Sequence, residues 1–132
     1  MPEWTALKYP LAVFLGGGLG AVARWEVNRS FAGSTWAEPF PWPTFLTNVL
    51  GSFLLGILAV VARDRPGWYA LLGTGFCGGF STFSTFSVEL LKLLDDDRPV
   101  AAAGYAAGSV LAALLGAWLG VRLLKGVGGG SC

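Results

Sequence analysis

Between Gly73 and Ser87 the chain reads Gly-Thr-Gly-Phe-Cys-Gly-Gly-Phe-Ser-Thr-Phe-Ser-Thr-Phe-Ser. Its second half repeats Ser-Thr-Phe with a period of three. On an α-helix, residues three apart lie on nearly the same face. Phe83 and Phe86 then share one stripe, Thr82 and Thr85 a second, and Ser81 and Ser84 a third. An aromatic ring has a positive edge, so ring edges turned toward a path could touch an anion that has shed water. The alternatives are structural: phenylalanines packed against core or lipid, and hydroxyls bonded back to carbonyls one turn earlier. Elsewhere the polar groups of the apolar segments are also neutral, chiefly Asn48, Tyr105 and Ser109. Glu89, about two turns beyond the glycines, is the nearest carboxylate. Neutral donors suit an anion better than a cation. Lack of a central carboxylate argues against a proton- or cation-coupled transporter. An enzyme has the weakest support. The chain has no histidine, which is the commonest general base and metal ligand. It has no paired carboxylates, and Cys77 has no visible base.

These residues sit in an uncharged run from Pro66 to Val88, and about 20 apolar residues suffice to cross a bilayer. Gly73, Gly75, Gly78 and Gly79 weaken a helix there. A break at membrane depth is tolerated only where it is buried in protein or lines a cavity. Interrupted helices expose main-chain carbonyls that can hold a cation such as sodium. A kink that merely improves packing is the competing reading.

Composition sets the surroundings. Of 132 residues, 54% are hydrophobic and 13% charged, against roughly 45–50% and about 25% in soluble domains. Twenty glycines and six tryptophans suit packed membrane helices with interfacial aromatics. The length gives one domain. The net charge of +1 offers no electrostatic case for nucleic acid. The expected architecture is an all-α membrane protein with four spans, near 9–27, 44–62, 68–94 and 100–124, in one domain over 1–126. Residues 28–43 read as an interfacial loop and 127–132 as a flexible Gly-rich tail. Arg24 interrupts the first span and must face protein or water. Gly104, Gly108, Gly116 and Gly120 recur at multiples of four, which favours close helix contact.

Four spans put both termini on one side. Lys8, Arg63, Arg65, Arg122 and Lys125 fall on that side; Arg24, Arg29, Lys92 and Arg98 fall on the other. The positive-inside rule has almost no bias to act on. Either the rule is weak here, or the chain inserts both ways and opposite copies pair.

The motifs resemble the Fluc-type fluoride channels, also called CrcB proteins. Four pieces carry the likeness: Gly-Gly-Gly-Leu-Gly-Ala-Val-Ala-Arg-Trp at 16–25, Thr-Asn-Val-Leu-Gly-Ser-Phe at 47–53, Gly-Phe-Cys-Gly-Gly-Phe-Ser-Thr-Phe-Ser-Thr-Phe-Ser at 75–87, and Gly-Tyr-Ala-Ala-Gly-Ser at 104–109. The third is highly specific. The resemblance implies an antiparallel, dual-topology homodimer in the cell (inner or plasma) membrane, with the third helix broken mid-membrane. It implies two fluoride pores per dimer and passive export of cytoplasmic fluoride. It also implies a sodium ion at the dimer centre, on the main-chain oxygens of Gly78 and Ser81, and no organic cofactor. The family's phenylalanine pair corresponds to Phe83 and Phe86, its pore asparagine to Asn48, and its fourth-helix polar track to Tyr105 and Ser109. A later rung of that track is Ala113 here. Arg24 corresponds to the first-helix arginine near a vestibule, and Thr44 and Glu89 are weaker candidates for a pore mouth. Two rival functions remain: a small dual-topology coupled solute transporter, and a non-transporting membrane subunit that packs through its glycine faces.

Overall fold

The computed structural model describes residues 2–34 and 40–128. These residues are helical with short connections and contain no strand. In order they form α1 (Glu3–Phe31), α2 (Trp42–Val61), α3 (Pro66–Trp68), a π-helical segment (Tyr69–Cys77), α4 (Gly78–Phe80), α5 (Phe83–Asp95) and α6 (Pro99–Gly128). α1, α2 and α6 are each long and apolar enough to cross a membrane. The chain is a multi-pass membrane protein.

Proline marks three helix starts. Pro43, Pro66 and Pro99 stand in the first turns of α2, α3 and α6, where a missing N–H costs no helical hydrogen bond. Between α5 and α6 the chain turns tightly through Asp97, whose φ of 54° is left-handed. The Arg98 N–H donates back to the Leu93 carbonyl at 2.9 Å, which closes the end of α5. The helices overrun the expected spans. α1 covers Glu3–Phe31 rather than 9–27, so residues 28–31 of the expected loop are helical. α6 extends through Val127 and Gly128. The remainder of the expected tail, and residues 35–39 of the loop, lie outside the described residues.

Glycine decides which helices touch. Gly16 of α1 lies on the backbone of Leu71 and Phe76, and Gly20 on that of Phe76 and Phe80. α1 and the segment 66–80 therefore run in the same direction. Gly116 lies on Val49 and Gly120 on Phe53, so α2 and α6 also run in parallel. Small residues permit this approach where no hydrophobic driving force separates helix from lipid. Gly104 and Gly108, at the same spacing along α6, have nothing within reach of an added Cβ. Only the C-terminal half of the expected glycine face packs within the chain. A buried cluster of Phe86, Leu93, Ala102 and Tyr105 joins α5 to α6, with Phe40 and Phe45 against it.

Candidate functional site

The helix does not break at the glycines. Residues 69–77 widen into a π-helix and 78–80 return to α. Gly75 and Gly79 stay helical because they face α1: a Cβ on Gly79 would run into the Gly17 carbonyl, and one on Gly75 would meet the Gly16 Cα at 3.0 Å. The interruption comes two residues later, at Ser81 and Thr82, both extended (ψ 156° and 120°). The three period-three stripes are corrected accordingly. Phe83 and Phe86 share a helix, whereas Ser81 and Thr82 precede it.

Two side chains hold this interruption open. Asn48 of α2 accepts from the Thr82 N–H through Oδ1 at 2.6 Å and donates through Nδ2 to the Thr82 carbonyl at 3.1 Å. The Thr82 hydroxyl caps α5 by accepting from the Thr85 N–H at 3.3 Å, the N-cap role in which threonine is favoured. The Ser84 and Thr85 hydroxyls each lie 3.2 Å from that same oxygen. In an unbroken α-helix the Thr82 N–H would serve the Gly78 carbonyl, and the Thr85 N–H the Ser81 carbonyl. Both donors are diverted. No other backbone donor replaces them among the described residues. The carbonyls of Gly78 and Ser81 are thus among those left over by the break, whereas Arg24 takes that of Gly79 and Asn48 that of Thr82. Both residues line a cavity of about 220 Å³ with Ser52, Thr74 and Cys77.

Across the break lies a groove of about 230 Å³. It is lined by Asn48, Ser52, Thr82, Phe83, Phe86 and Ser109, with Ser81, Val110 and Ala113 completing it. Four elements of the sequence reading meet here: the asparagine, the hydroxyl repeat, the phenylalanine pair and the fourth-helix serine. The Ser109 hydroxyl is buried and has no hydrogen-bond partner among the described residues. An unsatisfied buried hydroxyl costs about 1–3 kcal/mol. The phenylalanines differ in setting. Phe86 is buried and Phe83 is 78% exposed, with ring centroids 5.7 Å apart. Ser52 was not singled out by type, yet it lines both cavities. Its place four residues after Asn48 on α2 puts it on the asparagine's face.

Further along, Glu89 joins three helices. Thr44 donates to Oε1 at 2.8 Å and Tyr105 to Oε2 at 2.7 Å. Thr44 and Tyr105 are buried. The Tyr105 ring packs on Phe86 at 5.0 Å and on Phe40 at 5.3 Å. Tyr105 therefore borders the groove through Phe86, while itself lining a separate cavity with Phe40 and Arg98. Arg24 stands apart from the groove. Its Nε donates to the Gly79 carbonyl at 3.0 Å, tying α1 to the helix end before the break, where a cation suits the helix dipole. Three further hydroxyls follow the back-bonding alternative: Ser81 to Cys77, Ser87 to Phe83 and Thr47 to Thr44.

The chain matches, over residues 11–121, the family described as CrcB-like protein, Camphor Resistance (CrcB). It is 47% identical over 121 residues to a protein of Halobacterium salinarum named fluoride-specific ion channel FluC 1, covering 90% of this chain and 94% of that one. It is 42% identical over 122 residues to the fluoride-specific ion channel FluC of Gloeobacter violaceus, covering 90% and 98%. A relative in Novosphingobium aromaticivorans with the same name is 45% identical over 121 residues. With its glycine-packed helices, its Ser-Thr-Phe repeat and a match of this extent, the chain belongs to the CrcB family.

Proposed function

We propose that this protein is a passive, fluoride-selective channel that lets cytoplasmic fluoride leave down its electrochemical gradient. The observation that carries this reading is the groove at the break, where Ser109, whose buried hydroxyl has no partner among the described residues, lines one wall with the Asn48–Thr82 clamp and the two phenylalanines. The names of the relatives support fluoride as the ion. No bond is made or broken, and the protein is not an enzyme.

In this reading the segment from Pro66 to Asp95 is one span, interrupted at Ser81–Thr82, and the chain has four spans. Two copies pair antiparallel as a dual-topology homodimer with two pores. Arg24 raises the local anion concentration near the mouth of a pore. Fluoride loses water against hydroxyl and amide donors near Asn48, Thr82, Ser84 and Thr85. It then passes the edges of Phe83 and Phe86, and continues along Ser109 toward Tyr105, with Thr44 and Glu89 at the far end. Phe83, so exposed in one chain, meets the second copy. Chloride is excluded by a path too narrow and stiff for it.

The carbonyls of Gly78 and Ser81 fit a sodium ion: they are hard oxygen donors without helical partners, in an open cavity. Two copies would offer four such oxygens. When bound, sodium would supply fixed positive charge that holds the two breaks together.

Reconstitution in liposomes tests the reading. Fluoride efflux followed by electrode, with a potassium ionophore to balance charge, is expected to be fast, and chloride efflux negligible. A coupled transporter is the second reading, since Glu89 is a half-buried carboxylate within the bundle. It predicts efflux that follows a proton or sodium gradient, whereas the channel follows the fluoride gradient alone.

A further inference from the structure

Away from the break, the parallel ends of α2 and α6 flank an open cavity of about 630 Å³, lined by Ala59, Val60, Arg63, Val121, Leu124, Lys125 and Gly128. Its size falls within the roughly 300–1,000 Å³ typical of small-molecule sites. Its two charged residues are both cations, Arg63 from the turn after α2 and Lys125 from α6. Arg63 and Lys125 are exposed, and neither has an ion-pair partner among the described residues. Asp64 is the nearest acid in sequence, but it does not line the cavity. The other walls are aliphatic and belong to helices long and apolar enough to cross a membrane. One turn before Lys125, the Arg122 guanidinium stacks on Trp118 at 5.5 Å. Such an aromatic marks the interfacial level of a bilayer.

We propose that this cavity binds the phosphate headgroup of an anionic membrane lipid. Arg63 and Lys125 grip the phosphate from either side, and the first methylenes of an acyl chain lie on Val60, Val121 and Leu124. Basic pockets between membrane helices are suited to this use. The aliphatic walls favour a lipid over a free anion, because a soluble phosphate leaves them uncovered. The site is remote from the groove at Ser109, so it concerns the seating of the protein in its bilayer rather than conduction. It does not rest on the fluoride reading.

Native mass spectrometry of the detergent-purified protein, titrated with phosphatidylglycerol or with phosphatidylcholine of the same chains, provides the test. Cations near an anionic surface are worth about fivefold each, so R63Q/K125Q is expected to bind phosphatidylglycerol about 30-fold more weakly than the parent chain. Phosphatidylcholine, whose phosphate charge is offset by its choline, should bind the parent chain more weakly and lose less than phosphatidylglycerol, and R63K/K125R should behave as the parent. Arg29→Gln, at the end of α1, should leave phosphatidylglycerol binding intact. Both target side chains are exposed, and the single Lys125→Gln variant, expected to lose about fivefold, repeats the test if the double variant fails to fold. Unchanged phosphatidylglycerol affinity in these variants overturns the proposal, as does an equal loss in Arg29→Gln. Displacement of phosphatidylglycerol by millimolar inorganic phosphate also overturns it, and assigns the site to a soluble anion.

Discussion

At the residue scale, the Asn48 amide imitates a strand partner for Thr82 and keeps that residue from joining a helix. Asn48→Ala removes two hydrogen bonds that contribute about 0.5–1.5 kcal/mol each and leaves the Thr82 N–H free to close back on Gly78. The variant is expected to lose about 1–3 kcal/mol of stability in thermal unfolding and most of its fluoride flux. Full flux would separate the break from conduction. The phenylalanines divide more sharply than their spacing suggests. Phe83→Ile, at a position 78% exposed in one chain, should cut flux strongly. An unaffected rate would make Phe83 a lipid-facing residue. Residue types alone pointed to Asn48, Ser109 and the Ser-Thr-Phe repeat, because neutral donors are conspicuous in apolar helices. Which hydroxyls stay free was not legible. Back-bonding of Ser81 and Ser87 and sharing of Glu89 by Thr44 and Tyr105 depend on local backbone and on partners 16 and 45 residues away.

At the scale of elements, glycine plays opposite parts at equal spacing. Gly20→Ala would push a Cβ into the Phe76 carbonyl. Overpacking of this kind costs typically about 1–3 kcal/mol, and the thermal midpoint is expected to fall. Gly108→Ala meets nothing in the chain, and alanine favours a helix interior by up to about 1 kcal/mol, so the midpoint should hold or rise. A fall as large as that of Gly20→Ala would place a partner on Gly108. The same contrast explains the displaced break. Intrinsic propensity marks Gly73–Gly79 as weak helix, but α1 packed against Gly75 and Gly79 holds them helical, and tertiary contact overrides propensity. The interruption falls instead where Thr82 competes as a cap and Asn48 reaches across from α2. The overrun of α1 to Phe31 has a simpler cause: hydropathy measures the thickness of the bilayer, whereas helices run on into water.

For the whole molecule, what was legible was the class: apolar spans, charged turns at Arg63–Arg65 and Asp95–Arg98, and family membership through the 75–87 piece. Pairing of α2 with α6, and of α1 with the third segment, rests on glycine contacts whose partners lie about 55–67 residues apart in the chain, beyond any local pattern. The proposed function includes a sodium ion shared between copies on the carbonyls of Gly78 and Ser81. Exchange of sodium for a large organic cation such as N-methylglucamine during purification is therefore expected to lower both the thermal midpoint and the flux, with recovery on adding sodium back; insensitivity of both would remove the ion from the account. The central claim is conduction of fluoride by this chain. Its most direct measurement is efflux from liposomes holding the purified protein, with potassium fluoride or potassium chloride inside and an ionophore to balance charge. Rapid loss of fluoride with chloride retained is the predicted result; retention of fluoride by vesicles containing the folded protein would contradict it.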